Sequence, residues 1–284
     1  MSERLIQKNC LDIATEAFGN PAHPPVLLIM GGGASMLWWP EEFCQRLANR
    51  GRYVIRYDQR DTGRSTKFTA GDPSYTLDDL AEDAIGVLDA YALPAAHLVA
   101  MSLGAIIGQL VALIYPSRVL SLTAISSSPF GTDTSRLPRS GDAYQEHLAA
   151  AEDVDWSDRA QVIEYSLAES RLIAGTAHPF AEEATRAFIE RDYDRSGGYS
   201  TLSNFAWRGG DAWRGRLHEM KAPLLVIHGT ADPVNPIEHG IALAEAVAGA
   251  KLVRLEGGGH ELHRADWETI IGAIVEHTTL KGQR

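Results

Sequence analysis

One stretch limits what this chain can fold into: His97-Leu98-Val99-Ala100-Met101-Ser102-Leu103-Gly104-Ala105. An apolar run of strand formers rises to Ser102, and a helical pattern starts immediately after it. A strand that turns at once into a helix strains the residue at the apex and presents its side chain to a cleft. Here that side chain is a hydroxyl. Small residues are needed on either side because strand and helix approach closely around the bend. Gly104 meets that need, whereas Ala100 stands where the motif usually has a second glycine. The competing reading of the stretch alone is an ordinary strand-to-helix turn with a capping serine.

The same texture recurs along the chain. Val26–Met30 is a continuous apolar run, as expected of a strand covered on both faces in a parallel sheet, and Tyr53–Tyr57, Val119–Ile125 and Pro223–Gly229 read as further strands. Helical spacing separates them at 40–49, 77–91 and 103–115, and again at 237–247 and from Asp266 towards Thr279. Leu11–Phe18 alternates apolar and polar residues like an edge or antiparallel strand, and Leu252–Leu255 reads as the last strand. The fold class predicted is α/β, a mostly parallel, doubly wound sheet. From Pro129 to Leu217 strand-like runs vanish, and charged helical stretches with many aromatics appear. This predicts a helical cap over residues 129–215, inserted into a core formed by 1–128 and 216–284.

Bulk properties exclude several function classes. The 284 residues are 45% hydrophobic, enough for a large core without metals or disulfides. With 26 basic and 37 acidic residues the formal charge is −11, which disfavours nucleic acid or an anionic membrane as partner. Cys10 and Cys44 sit in unrelated contexts, so no disulfide framework or metal cluster is expected. The start of the chain lacks a signal-peptide layout, and the longest apolar run, Leu103–Tyr115, is too short to span a bilayer. A cytoplasmic monomer or homodimer without cofactor is the expectation.

Polar features follow the strands. Met30-Gly31-Gly32-Gly33 leaves backbone N–H groups unobstructed, yet neither the Walker pattern nor the dinucleotide fingerprint is present there. Beside a serine nucleophile, an oxyanion role leads. The dense turn Asp58-Gln59-Arg60-Asp61-Thr62-Gly63-Arg64-Ser65 reads as a structural network in which acidic side chains satisfy turn amides and arginines brace loops. Asp232 comes after the strand ending at Gly229, and His260 after three glycines beyond Leu255. In open parallel sheets ligands bind outside the carboxyl ends of the strands, so these features are expected to share one cleft.

The residue types suit acyl transfer. A serine hydroxyl needs a base to take its proton, imidazole titrates in the right range, and a carboxylate fixes the imidazole tautomer. Ser102, His260 and Asp232 are the candidates, with Gly32 N–H and Leu103 N–H as oxyanion donors. His263 and His228 compete for the base: His263 falls on the approach to the last helix, and His228 sits at a strand end. Gly33, Trp207 and Trp213 are candidates for the pocket wall, the tryptophans being flanked by Gly209, Gly210 and Gly215.

On these residues the sequence resembles the α/β-hydrolases along almost its whole length. Ser102-Leu103-Gly104, the turn at 58–65, His228-Gly229-Thr230-Ala231-Asp232-Pro233 and Gly259-His260 carry the match, in the chain order Ser, Asp, His. Within that superfamily it is most similar to bacterial esterases acting on polyketides. These are the aclacinomycin methylesterase type and the macrolide-lactone esterases, including integron-borne resistance enzymes. Arg60-Asp61-Thr62-Gly63-Arg64-Ser65 and the Met-Gly-Gly loop support that branch. The resemblance implies the triad and oxyanion residues just named, and a bulky ester or lactone as substrate. Macrolide ring opening stands ahead of anthracycline-type methyl-ester cleavage. Cofactor-free haloperoxidase-like or carbon–carbon bond hydrolysis, or a slow-turnover ligand receptor, are the alternatives.

Overall fold

The apolar runs become the centre of one sheet. The computed structural model describes residues 3–8, 10–68, 75–199 and 208–279. Its strands are β1 (Arg4–Lys8), β2 (Leu11–Phe18), β3 (Pro25–Ile29), β4 (Tyr53–Tyr57), β5 (Ala96–Met101), β6 (Val119–Ile125), β7 (Leu224–Gly229) and β8 (Lys251–Leu255). They form an eight-stranded sheet in the order β1-β2-β4-β3-β5-β6-β7-β8. β2 runs antiparallel to β1 and β4, and the remaining neighbours are parallel. The fold class is therefore as expected, with one difference at the edge. β2 is covered by β1, which sequence patterning does not reveal because only Ile6 of its five residues is buried.

Helices α1 (Glu41–Asn49), α2 (Leu77–Ala90), α3 (Leu103–Ile114), α7 (Ile237–Ala246) and α8 (Trp267–His277) flank the sheet. Between β6 and β7 lie α4 (Asp142–Ala149), α5 (Arg159–Ile173) and α6 (Glu182–Ser196), with no strand among the described residues. Two large apolar clusters fill the two faces. One joins Leu27, Ile55, Leu98 and Leu122 to α2 and α3; the other joins Val26, Leu28, Val99 and Ile227 to α1 and α8. α3 is so apolar that eleven of its twelve residues are buried. No helix among the described residues is long and apolar enough to cross a membrane.

The turn at 58–65 is a buried brace, as its composition predicts. Asp58 accepts from Met36 N at 2.7 Å and Arg64 N at 2.9 Å. Asp61 accepts from Phe68 N and the Tyr75 hydroxyl, and Arg60 makes a two-toothed pair with Asp83.

Candidate active site

Ser102 stands at the carboxyl end of β5 with φ 52° and ψ −120°, a conformation that L-residues resist. Neighbouring strands hold it there: its N–H donates to Ile125 O at 2.9 Å, and its carbonyl accepts from Ser127 Oγ at 2.9 Å. A Cβ at Gly104 would lie 2.3 Å from Ile29 O and 2.5 Å from Met30 O, so only glycine lets the helix start here. Ala100 fits without crowding: even a methyl on the facing Gly108 would lie at an ordinary contact distance of 3.5 Å from the Ala100 Cβ. The Ser102 side chain is half-buried, and its Oγ has no hydrogen-bond partner among the described residues.

The glycine loop after β3 lies against this turn. A Cβ on Gly31 would meet Ser102 Cβ at 3.3 Å, and one on Gly32 would meet Leu103 Cδ2 at 3.1 Å. Gly32 and Gly33 are exposed, and Gly33 takes the left-handed φ of 71°. Gln59 donates to Met30 O at 2.6 Å and Gly31 O at 3.4 Å. Because carbonyl and N–H point oppositely across a trans peptide, holding Gly31 O directs the Gly32 N–H away from Gln59.

Asp232 and His260 come together across the turns after β7 and β8. His260 Nδ1 is 2.8 Å from Asp232 Oδ2, and Asp232 Oδ1 accepts from Val234 N and Asn235 N, each at 2.8 Å. Burial opposes ionisation of Asp232, but the neighbouring His260 and these hydrogen bonds outweigh it and hold the carboxyl below its ordinary value. The inserted segment steadies the histidine. His260 N donates to Ile173 O at 2.8 Å, Thr176 N to Gly257 O at 2.7 Å, and Gly175 N to Glu261 Oε1 at 2.8 Å.

The competing histidines sit elsewhere. His228 is fully buried, 3.5 Å from Asp232 Oδ2, with Nε2 on Asn235 O at 2.7 Å. His263 caps a short turn by accepting from Ala265 N, and its ring stacks on His178 at 4.2 Å. His178, His263 and Asp266 are close enough to suggest a metal set. However, the two rings lie within 11° of parallel, so their in-plane lone pairs do not converge on one ion. The cluster acts as a contact between the inserted segment and the core.

Trp213 is half-buried against the hydrophobic core, with the Arg216 guanidinium 4.5 Å over its ring. One side of the ring therefore packs on the core and the Arg216 guanidinium lies over it. Trp207 lies outside the described residues. One polar group near the histidine escapes a motif-based reading. Glu169 of α5 interacts with Tyr144 and with His260, and burial pushes its carboxyl up. Its spacing from the buried Val162 and Tyr165 is seven and four residues, so helical periodicity marks it as inward-facing.

Comparison with known proteins identifies the family. Residues 24–264 match the family model for the alpha/beta hydrolase fold. The chain is 35% identical to rhodomycin D methylesterase DauP of Streptomyces sp. (strain C5), covering 98% of both chains. It is 33% identical to rhodomycin D methylesterase DnrP of Streptomyces peucetius, again over 98% of each. Among solved structures, esterase RhEst1 from Rhodococcus sp. ECU1013 superposes with a TM-score of 0.78 over 98% of both chains, at 20% identity. A strand–serine–helix turn in a sheet of this order, matched by these relatives over almost the whole length, leaves one assignment: the chain belongs to the α/β-hydrolase family and is a hydrolytic enzyme.

Proposed function

We infer that the protein is a serine carboxylic-ester hydrolase whose nucleophile is Ser102, base His260 and orienting acid Asp232. The observation that carries the reading is a strained serine at the end of β5 on the same sheet edge as a histidine hydrogen-bonded to a buried, ionised aspartate. In this mechanism Ser102 Oγ attacks the ester carbonyl carbon while His260 Nε2 takes the hydroxyl proton. The new oxyanion is met by Gly32 N–H and Leu103 N–H. His260 returns the proton to the departing alcohol, leaving an acyl-enzyme. Water, activated by the same imidazole, then releases the acid. Asp232 keeps the Nδ1 proton in place and stabilises the imidazolium throughout.

For substrate, the two methylesterase relatives favour the methyl ester of an anthracycline-type polyketide. This reverses the order of preference suggested by sequence alone, in which macrolide lactone opening came first. The two reactions separate cleanly by mass. Methyl-ester hydrolysis gives methanol and an acid lighter than substrate by one methylene, whereas lactone opening adds one water and loses nothing.

The test is incubation of the wild type and Ser102→Ala with an anthracycline methyl ester, a macrolide and a simple aryl ester, followed by mass spectrometry. The expected result is loss of one methylene from the anthracycline, and a fall on the order of 10⁶ in turnover for Ser102→Ala. More than a few per cent of activity in pure Ser102→Ala would remove the nucleophile assignment. Turnover of the macrolide alone would restore the lactone reading.

A further inference from the structure

The oxyanion loop is held by the inserted helices as well as by the core. On the core side, Gln59 holds Met30 O and Gly31 O, and Asp58 accepts from Met36 N at 2.7 Å. On the other side, Asp192 of α6 receives three hydrogen bonds. Ser35 Oγ donates at 2.5 Å, Trp38 Nε1 at 3.1 Å, and the Tyr199 hydroxyl at 3.0 Å. Ser35 and Trp38 belong to the segment that continues the glycine loop. One turn further along α6, Arg195 Nη2 donates to Asp58 Oδ2 at 2.7 Å and its Nε to Glu3 Oε1 at 2.7 Å. Asp58 is fully buried and Asp192 is 1% exposed, so neither bond competes freely with water. The contact is reinforced by Phe188 of α6, whose ring meets Trp38 edge-on at 4.9 Å.

An aspartate buried on a helix of fifteen residues costs desolvation energy, and packing alone would be served by an apolar side chain. What Asp192 supplies that an apolar residue cannot is a directional hold on Ser35 and the Trp38 indole. Gly31, Gly32 and Gly33 cannot stiffen themselves, since glycine has the widest backbone freedom. An oxyanion donor is effective only when fixed before reaction.

We propose that Asp192 is a positioning residue: through Ser35 and Trp38 it sets the loop that carries the Gly32 N–H, so that docking of α6 assembles the oxyanion hole. This rests on the serine-esterase reading above. Arg195 completes the device by tying the same helix to Asp58, which holds Met36 at the far end of the loop. Removal of α6 from its seat would release the loop at Ser35 and Trp38 and strip Asp58 of its arginine at once.

The experiment compares Asp192→Ala, Asp192→Asn and Ser35→Ala with wild type on a small aryl ester, whose binding does not depend on a large pocket. Active sites are counted by titration with a p-nitrophenyl phosphonate, so that misfolded protein does not enter kcat. Loss of one oxyanion donor costs about 10²–10³ in rate, and a loosened donor a fraction of that. Asp192→Ala is therefore expected to lower kcat per titrated site about 10- to 30-fold, with KM within about twofold. Asp192→Asn should recover to within about threefold of wild type, because its carbonyl still accepts from Ser35 or Trp38. Ser35→Ala, which cuts the same bond from the core side, should lose about fivefold and keeps the test open if Asp192→Ala does not fold.

Asp194→Ala, on α6 like Asp192, is the control: it removes an exposed pair with Arg159 of α5 and should leave kcat unchanged. Unchanged kcat per site in both Asp192→Ala and Ser35→Ala, or a loss confined to KM, would overturn the positioning role. So would an equal loss in Asp194→Ala. Ser102→Ala, run in parallel, separates the two layers of argument. If it stays active the catalytic reading fails; if it is dead while the Asp192 and Ser35 variants match wild type, only the positioning inference fails.

Discussion

Replacing Asp232 by asparagine tests the proposed mechanism through a choice the structure forces on one amide. Oδ1 of Asp232 accepts from two backbone N–H groups, Val234 and Asn235, while Oδ2 faces His260 Nδ1. An asparagine has one oxygen and one NH₂ to place in these two positions. With its oxygen on the backbone pair, the NH₂ points at Nδ1, which must then accept. The proton moves to Nε2, and His260 can no longer take one from Ser102. The reverse orientation restores the base but sets NH₂ against two buried N–H donors. Each stranded donor costs about 1–3 kcal/mol, so the productive orientation lies about 4 kcal/mol higher. That gap corresponds to about 10³ in rate, and losing the anion beside the imidazolium takes the expected fall in kcat to about 10³–10⁴. KM should change little, since the effect is on the transition state. The assay is steady-state hydrolysis of an aryl ester, with nitrogen-labelled histidine NMR to read which ring nitrogen carries the proton. A well-folded Asp232→Asn enzyme within tenfold of wild type would refute the orienting role, as would a His260 ring still protonated at Nδ1.

Three other perturbations probe the same structure. His97 is 1% exposed, and burial holds its imidazole down at about 4, against an ordinary 6.5. Between those values the unfolded chain binds the proton and the folded one does not, so stability falls as pH drops from about 6.5 towards 4, by up to about 3 kcal/mol. Denaturant titrations of His97→Gln should show a flatter acid limb than wild type. Glu169 titrates the other way: burial raises its carboxyl, so the folded state loses stability as pH rises through the carboxylate range. Glu169→Gln should therefore gain in Tm relative to wild type as the pH rises above the ordinary carboxylate range, and a constant difference would contradict the raised carboxyl. Gly104→Ala places a methyl within 2.5 Å of two carbonyl oxygens, and should cost about 3 kcal/mol or more by chemical denaturation.

Much of the fold was legible because the central strands are buried on both faces, and such strands show as mostly apolar runs with only an occasional polar residue, such as Arg56 in β4 or Ser121 and Thr123 in β6. β6 occupies Val119–Ile125, the run the sequence marks, and α1 starts one residue after Pro40. β1 was not legible, since a polar edge strand with one buried residue has no periodicity to read. The places of Ser102, Asp232 and His260 were legible for a different reason. Each lies just beyond the end of a strand, and parallel strands deliver the residues at their carboxyl ends to one edge. Trp213 shows the limit of that logic. An aromatic among glycines suggests a pocket wall, but which surfaces a ring meets depends on how its loop lies, and no local pattern shows that this one rests on the core with Arg216 over it.

The hold on the glycine loop was illegible for a reason that bears on the proposed mechanism. Ser35 and Asp192 are 157 residues apart, and neither belongs to a local motif. The one available signal was periodicity: Ile189, Asp192 and Ser196 are the buried residues of α6, so an acid lay on the inner face of a helix. Such an acid needs donors, and those donors had to come from whatever α6 packs against. The glycines that let the loop approach Ser102 and Leu103 also deprive it of stiffness. A loop that must be both small and rigid has to take its rigidity from outside. Here Gln59 and Asp58 supply it on one side and Asp192 on the other. The consequence is that substitutions on α6 act on chemistry as well as on substrate fit. A variant library built to widen the space beneath the inserted helices should therefore spare Asp192 and Arg195. Changes at either are expected to appear in kcat on small esters that never touch those helices.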